Sequence, residues 1–265
     1  MKVKAYAKYK FRKIRRFFFP KRIANYRMIK DFVKDKHGIE IGGPSKIFND
    51  IIRIYGIARQ VDGVNFSTDT IWEGKIKEGS PYLYNGNRLG SQYINDATDL
   101  SSVKTEQYEF LVSSHCLEHV ANPIKALKEW NRVIVNQGLM VLVLPNPEFM
   151  FDHKRQRSTF DHILNDYNTN VSEEDDTHIQ DVIDNCDLSR VYLLGGNGQT
   201  IPRDMHVKYC LDNARLRTLH HHVYTDEVVH KMLAHSGFSL NATEHFAPFH
   251  MIYIARKSNN QKIKK

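Results

Sequence analysis

Short apolar runs alternate along the chain with stretches of helical spacing, and their order is that of a parallel α/β sheet. Ile39-Glu40-Ile41 predicts a first strand, which runs into Gly42-Gly43-Pro44-Ser45. Ile57 to Val61 predicts a second, stopped by Asp62-Gly63, and Tyr93-Ile94-Asn95 a third, leading to Asp96-Ala97. The fourth spans Phe110 to Val112 and the fifth Leu139 to Leu144, closing on Pro145-Asn146. A helix lies between these two, with Asn122 as N-cap, Pro123 at its first position and Gly138 past its end. Another helix follows at 224–236, capped by Thr225 and stopped by Gly237. Phe238 to Phe246 and Phe249 to Ala255, separated by Ala247-Pro248, then predict two antiparallel strands. Residues 151–222 show no strong period and are rich in Asp, His and Asn. A plain loop of that length is uncommon, so this segment is predicted to be an acceptor-binding insertion after strand five.

Charge divides the chain more sharply than hydropathy does. Residues 1–36 hold 14 Lys/Arg against 2 Asp, and residues 257–265 add four Lys. The net charge of the whole chain is +8, so the body at 37–256 is acidic, at −8. The first segment reads as a basic, partly helical arm broken at Pro20, and the last as a basic tail. Such ends suit an anionic membrane, nucleic acid or glycan, or form a solvated arm that aids solubility, and the acidic body argues against nucleic acid. No run approaches the roughly 18 apolar residues of a membrane span, and no secretory apolar region is present. The three cysteines, Cys116, Cys186 and Cys210, lack the paired spacing of a metal site. Together these features predict a cytoplasmic location, with peripheral contact at the inner face of a membrane through the arm.

A strand, a glycine turn and an acidic residue near the next strand's end form a nucleotide-site layout. Here Glu40-Ile41-Gly42-Gly43 is followed 22 residues on by Asp62. The glycines let a ligand approach the backbone, Asp62 beside Gly63 is placed to take ribose hydroxyls, and Asp96 to accept from an adenine amino group. Ser113 and Ser114 close the fourth strand on the same side. The Gly-x-Gly-x-x-Gly turn of a dinucleotide dehydrogenase is missing, which disfavours that rival.

With these pieces the chain resembles the class I S-adenosylmethionine-dependent methyltransferases, in the broad group of the ubiquinone-pathway O-methyltransferases. The resemblance rests on Glu40-Ile41-Gly42-Gly43, Val61-Asp62, Asp96-Ala97-Thr98-Asp99-Leu100, Leu117-Glu118-His119-Val120, and Arg132-Val133-Ile134 through Gly138. It covers residues 37–150 and 224–256. It implies a doubly wound, mostly parallel seven-stranded sheet of Rossmann-like form, with S-adenosylmethionine at Glu40, Gly42, Gly43, Pro44, Asp62, Gly63, Asp96, Ala97, Ser113 and Ser114. Pro44-Ser45-Lys46 stands where that family's loop usually has further glycines. Relatives of this pattern often accompany glycan biosynthesis, which implies a sugar, nucleotide-sugar or cell-surface (capsule) polysaccharide precursor as acceptor.

His115, Glu118 and His119 are spaced i, i+3, i+4, which stacks them on one face of a helical turn. Imidazole and carboxylate together suit a divalent metal, although a Leu-Glu-His-Val turn can also simply bond the backbone. The turn is similar to that of the small-RNA terminal 2′-O-methyltransferases, where a Glu-x-x-Glu-His turn and a later histidine hold a catalytic metal. That similarity implies His115, Glu118, His119 and His153 as ligands. His115 in place of the first glutamate favours Mn or Fe over Mg.

Adjacent residues of an extended stretch point to opposite faces, so His220, His221 and His222 are not expected to share one ion. His222 is the candidate base, alongside His119 and Glu118, and His220 and His221 are expected to be hydrogen-bonded or surface side chains. Asn146, Arg155 and Arg157 are expected to line the acceptor pocket, suited to an anionic acceptor. The activity these residues predict is methyl transfer to a hydroxyl. A ribose methyltransferase of RNA, using the arm, and a non-catalytic S-adenosylmethionine-binding module are the alternatives.

Overall fold

The structure, a computed structural model, describes residues 22–190 and 201–258. The basic run up to Lys21, with its expected membrane or glycan contact, and the tail from 259 lie outside the described residues. The arm was expected to extend to 36, but helix α1 (Tyr26–Val33) is part of the body. Ile23, Ile29 and Val33 are buried beneath it.

Eight strands form the central sheet: β1 (His37–Ile41), β2 (Gln60–Asn65), β5 (Pro81–Tyr84), β6 (Asn87–Ile94), β7 (Tyr108–Ser114), β8 (Ile134–Pro145), β9 (Phe238–Phe246) and β10 (His250–Lys257). Two short strands, β3 (Asp69–Thr70) and β4 (Gly74–Lys75), make a separate hairpin. The order across the sheet is β5-β6-β2-β1-β7-β8-β10-β9. Pairing is parallel from β6 to β8 and antiparallel at both edges. The expected count was seven. The eighth is β5, joined to β6 through Asn85-Gly86, both with positive φ (49° and 78°). An Asn-Gly pair is the two-residue signature of a twisted hairpin turn, and the apolar pattern alone passes over it.

Strand limits also move. β2 starts at Gln60, so Asp62 and Gly63 lie inside the strand and Asn65 ends it. Helix α3 (Pro123–Val133) ends before Ile134, whose backbone is already extended, and Gly138 falls within β8. The Asn122 side chain accepts from Lys125 N at 3.1 Å, capping α3 as its sequence predicts.

Apolar layers cover both faces of the sheet. On one side pack α3 and α8 (Asp226–His235), with Trp130, Leu127, Val229 and Leu233 fully buried. On the other pack α1 and α2 (Lys46–Asp50), through Ile29, Val33 and Phe48. Between β8 and α8 the chain forms α4 (Phe160–Asn168), α5 (Ile179–Asn185), α6 (Arg203–Leu211) and α7 (Asn213–Leu216); α4 joins the α3 and α8 layer through Ile163, and Phe151, Arg190, Thr218 and His220, outside these helices, line a cavity at the carboxyl ends of the strands. No helix among the described residues is long and apolar enough to cross a membrane.

Candidate active site

The carboxyl ends of β1, β2, β6 and β7 open onto one cleft. Gly42 follows β1 with φ +79°, and a side chain there would strike Cys116 Sγ at 2.6 Å. A Cβ on Gly43 would lie 2.2 Å from the Glu40 carboxyl carbon. Both positions therefore bring bare backbone to the cleft, as a turn that cradles a ligand requires. Asn65 at the end of β2 pins this turn, donating from Nδ2 to the Gly43 carbonyl at 3.0 Å. Gly42, Pro44, His115, Glu118 and His119 line a cavity of about 300 Å³, with Trp72, Phe151 and His220. A smaller pocket of about 50 Å³ adjoins it, walled by Ile41, Asn65, Phe66, Asp96, Ala97 and Arg217. Asp96 holds Thr98 N at 2.8 Å through one oxygen, and its other oxygen meets Arg217 Nη2 at 3.1 Å. Arg217 also pairs with Glu173 at 2.6 Å. Arg217 thus latches the insertion onto the wall of the smaller pocket at Asp96.

Glu118 sits in the floor of the larger cavity, fully buried in a 3-10 turn at Leu117–His119. Neither of its oxygens has a hydrogen-bond partner among the described residues. Burial pushes its carboxyl up to about 7, against a lesser opposing pull from His220. His119 Nδ1 lies 3.1 Å from the Leu219 carbonyl. A carbonyl can only accept, so the proton sits on Nδ1 and the Nε2 lone pair is free. His220 Nδ1 contacts the Asp152 carboxylate at 2.8 Å, which frees its Nε2 in the same way, 4.0 Å from Glu118 Oε1. One ligand atom from each of Glu118, His119 and His220 lies within 4.8 Å of the others. Imidazoles tied back through Nδ1 to a carbonyl and a carboxylate, beside an unpartnered carboxylate, are what a divalent ion requires of its surroundings. Burial drives His119 well below its ordinary value, so the ring is neutral and able to donate its lone pair.

The metal set read from the sequence is corrected in two places. His153 leaves the cavity and pairs with Asp187 at 3.0 Å. His115 lies on the rim, with Nδ1 3.6 Å from Glu118 but Nε2 bonded to His250 Nδ1 at 2.9 Å. Its φ is +51°, because the chain leaves β7 in a left-handed turn and not in the helix that the i, i+3, i+4 spacing assumes. His220, expected to be a bystander, instead groups with Glu118 and His119. His222, expected to be the base, points away from the cavity and contacts Asp166 at 3.1 Å.

Several cofactor and acceptor positions are corrected as well. Asp62 is buried among His37, Gln60, Ser91 N and Tyr108, at 2.7–2.9 Å, and does not reach the cleft. Gly63 faces the Tyr82 ring, where a Cβ would sit 2.2 Å from it. Glu40 lies behind the glycine turn, accepting from Tyr55 at 2.6 Å and Tyr82 at 2.9 Å. Ser113 donates to the Ile41 carbonyl at 3.0 Å, and neither it nor Ser114 lines the pockets. Arg155 is buried against Asp181 at 2.6 Å and the His220 and His221 carbonyls. Arg157 pairs with Glu148, and Asn146 caps the Glu148 amide at 3.2 Å. None of these three lines the cavity, where Arg190 and Arg217 supply the cations instead. Asn65 was recoverable from the Val-Asp-Gly-Val-Asn run as a later strand end. Nothing local in the sequence marks Arg217 or Trp72.

A family model described as a methyltransferase domain matches residues 4–242. No curated protein matches the chain. Among solved structures, an S-adenosylmethionine-dependent methyltransferase from Mesorhizobium loti is 13% identical, covering 87% of this chain and 95% of its own, with a TM-score of 0.49. One from Methanosarcina mazei is 15% identical, covering 87% and 97%, at 0.48. One from Aquifex aeolicus is 9% identical, covering 89% and 90%, at 0.45. Matched over most of its length by that family model, and carrying the strand order and bare glycine turn described above, the chain belongs to the methyltransferase-domain family, as a class I S-adenosylmethionine-dependent methyltransferase.

Proposed function

We propose that this protein methylates a hydroxyl of a sugar-type acceptor, such as a sugar, nucleotide-sugar or glycan precursor, with help from a divalent ion held by Glu118, His119 and His220. The observation that carries this reading is the pair of Nδ1-anchored imidazoles facing a buried carboxylate that has no hydrogen-bond partner among the described residues. Bound S-adenosylmethionine supplies a methyl group already activated on its sulfonium, and Gly42, Asn65, Asp96 and Ala97 are the residues that would hold it. An ion on the triplet would supply Lewis acidity, which an alcohol needs because its own pKa is far above neutrality. The chain's part is to hold acceptor oxygen and methyl carbon in line. Leu219 and Asp152 fix the two tautomers, and the insertion roofs the site against water.

Trp72 supports a sugar. Its ring is 42% exposed on the cavity wall and 5.9 Å from the His119 ring, a platform of the kind on which a pyranose face packs. Arg190 on the same wall suits an acidic sugar or a phosphate.

The test is methyl transfer from labelled S-adenosylmethionine to an acceptor panel, before and after exhaustive chelation. Chelation should abolish turnover and Mn restore it. His220→Ala should lose both bound Mn and turnover while its calorimetric affinity for S-adenosylhomocysteine holds. Full turnover in metal-free protein would overturn the ion and leave the Glu118 carboxyl, raised to about 7, as general base.

A further inference from the structure

A second group of histidines lies in the insertion, apart from the cavity. His162 and Asp166 project from one face of α4 at i, i+4 spacing, His178 stands at the N-terminus of α5, and His222 comes from the extended segment before α8. His162 Nε2 is 3.3 Å from His178 Nε2 and 3.4 Å from Asp166 Oδ2. His222 Nε2 is 3.1 Å from the same oxygen. One ligand atom from each of the four lies within 4.8 Å of the rest. The three rings form a near-equilateral triangle, their centroids 5.1, 5.4 and 5.5 Å apart. Four ligands on a tetrahedral zinc, at about 2.0–2.1 Å each, would sit about 3.3–3.4 Å from one another. Three of the spacings here, at 3.1–3.4 Å, match such a shell, and the others lie within 4.8 Å.

Hydrogen bonding alone serves this arrangement poorly. His162 Nε2 carries at most one proton, yet it faces an imidazole nitrogen and a carboxylate at once. Asp166 Oδ2 is approached by His162 and His222 together. A cation at the centre satisfies all four atoms. Asp166 and His222 are 6% and 1% exposed, and none of the four residues lines the 300 Å³ cavity. The surroundings give such an ion a task. Among the described residues the insertion's own apolar cluster is Val182, Cys210 and Leu219, with Ile179 and Ile183 against it, while α4 reaches the main core through Ile163.

We propose that His162, Asp166, His178 and His222 bind a structural zinc ion that clamps α4 and α5 to the 218–224 segment and so sets His220 in the active site. Three imidazoles and one carboxylate make a closed tetrahedral shell with no position left for substrate, which is the structural type of zinc site. His220 and His222 stand two residues apart in a bent segment and take separate partners, Asp152 at 2.8 Å and Asp166 at 3.1 Å. The clamp therefore fixes the backbone two residues from His220, whose Nε2 faces Glu118.

The test measures zinc per chain in full-length protein loaded with zinc alone and then gel-filtered, in a His119→Ala background that removes the cavity cluster. That background should keep about one zinc per chain, and cobalt in its place should give the intense visible bands of a four-coordinate ion. Adding His162→Ala or His178→Ala should cut retained zinc at least tenfold and abolish the cobalt bands. His162 has 40% of its side chain exposed, so its removal should not unfold the chain, and His162→Cys should restore zinc. Chelation should lower the melting temperature of the parent but not of the His162→Ala variant. Absence of zinc from the His119→Ala protein, or full retention in His162→Ala and His178→Ala, would overturn the clamp.

Discussion

On the two faces of the sheet the interior is continuous hydrocarbon: Ile39, Leu111, Trp130, Met140 and Leu142 on one side, Phe48, Phe110, Val141 and Ile252 on the other. Among the insertion's described residues the interior is largely Asp152, Arg155, Asp166, His206 and His220 to His222, with Val182, Cys210 and Leu219 as its own buried apolar cluster. Hydrocarbon burial is non-directional, so a sheet layer tolerates a volume-conserving exchange of one neighbour at modest cost. A polar interior is made of specific pairs, and removing one member strands the other without water. The insertion should therefore open at lower free energy than the sheet it covers. The active site lies on the seam, with Gly42, Asn65 and Glu118 from the sheet side and His220 from the insertion.

The largest effect is expected at that seam. His119→Ala should lower turnover by about 10²–10⁴-fold while leaving both the sheet and cofactor affinity intact. Single-turnover kinetics and calorimetry with S-adenosylhomocysteine measure the two quantities separately. Unchanged turnover would remove the triplet from the reaction.

Next comes the insertion's own cohesion. Arg155 is 5% exposed, bonded to Asp181 and to the carbonyls of His220 and His221. Arg155→Met should cost the insertion about 1.5–3 kcal/mol, the range for hydrogen bonds to a charged group. Hydrogen exchange should quicken in 201–224 while β1, β7 and β8 keep their protection. Equal acceleration in the sheet would show that the two regions unfold as one body, and the contrast between them would fall.

The same contrast explains what could be read from the sequence. Strands β1, β7, β8, β9 and β10, the cap at Asn122 and the helix begun at Thr225 follow from apolar period and capping residues, because hydrocarbon burial leaves a periodic trace. Gly42, Asp96, Glu118 and His119, each within a few residues of a strand end, line the two pockets. Errors arose where the signal is not periodic. The start of β2 hid behind Ile57, and the resulting slip put Asp62 at a strand end it does not occupy. His220 was set aside for His222 since adjacent histidines in an extended run look alike until their partners are known. Those partners, Asp152 for His220 and Asp166 for His222, lie 68 and 56 residues away. No local pattern encodes a pairing at that range.

The smallest effect tests the sheet's polar exception. Asp62 is 2% exposed inside the hydrocarbon layer, which by itself raises a carboxyl's pKa. Hydrogen bonds from His37, Gln60, Ser91 N and Tyr108 outweigh that burial and hold it at about 2, below its ordinary 3.8. The unfolded chain therefore takes up this proton first as the pH falls. The stability that Asp62 contributes is complete above about pH 4 and is lost as the pH drops through about 2, roughly 2 kcal/mol in all. Asp62→Asn should lose that increment at neutral pH and should not share the corresponding acid-induced loss, as urea melts at pH 7, 4 and 2.5 would show. Its affinity for S-adenosylhomocysteine should match the wild type, because the carboxylate faces the amino-terminal half of the sheet and its acceptor sites are filled. A variant with normal stability and weakened cofactor binding would return Asp62 to the ribose, and would show that β2 slides in register when the cleft is filled.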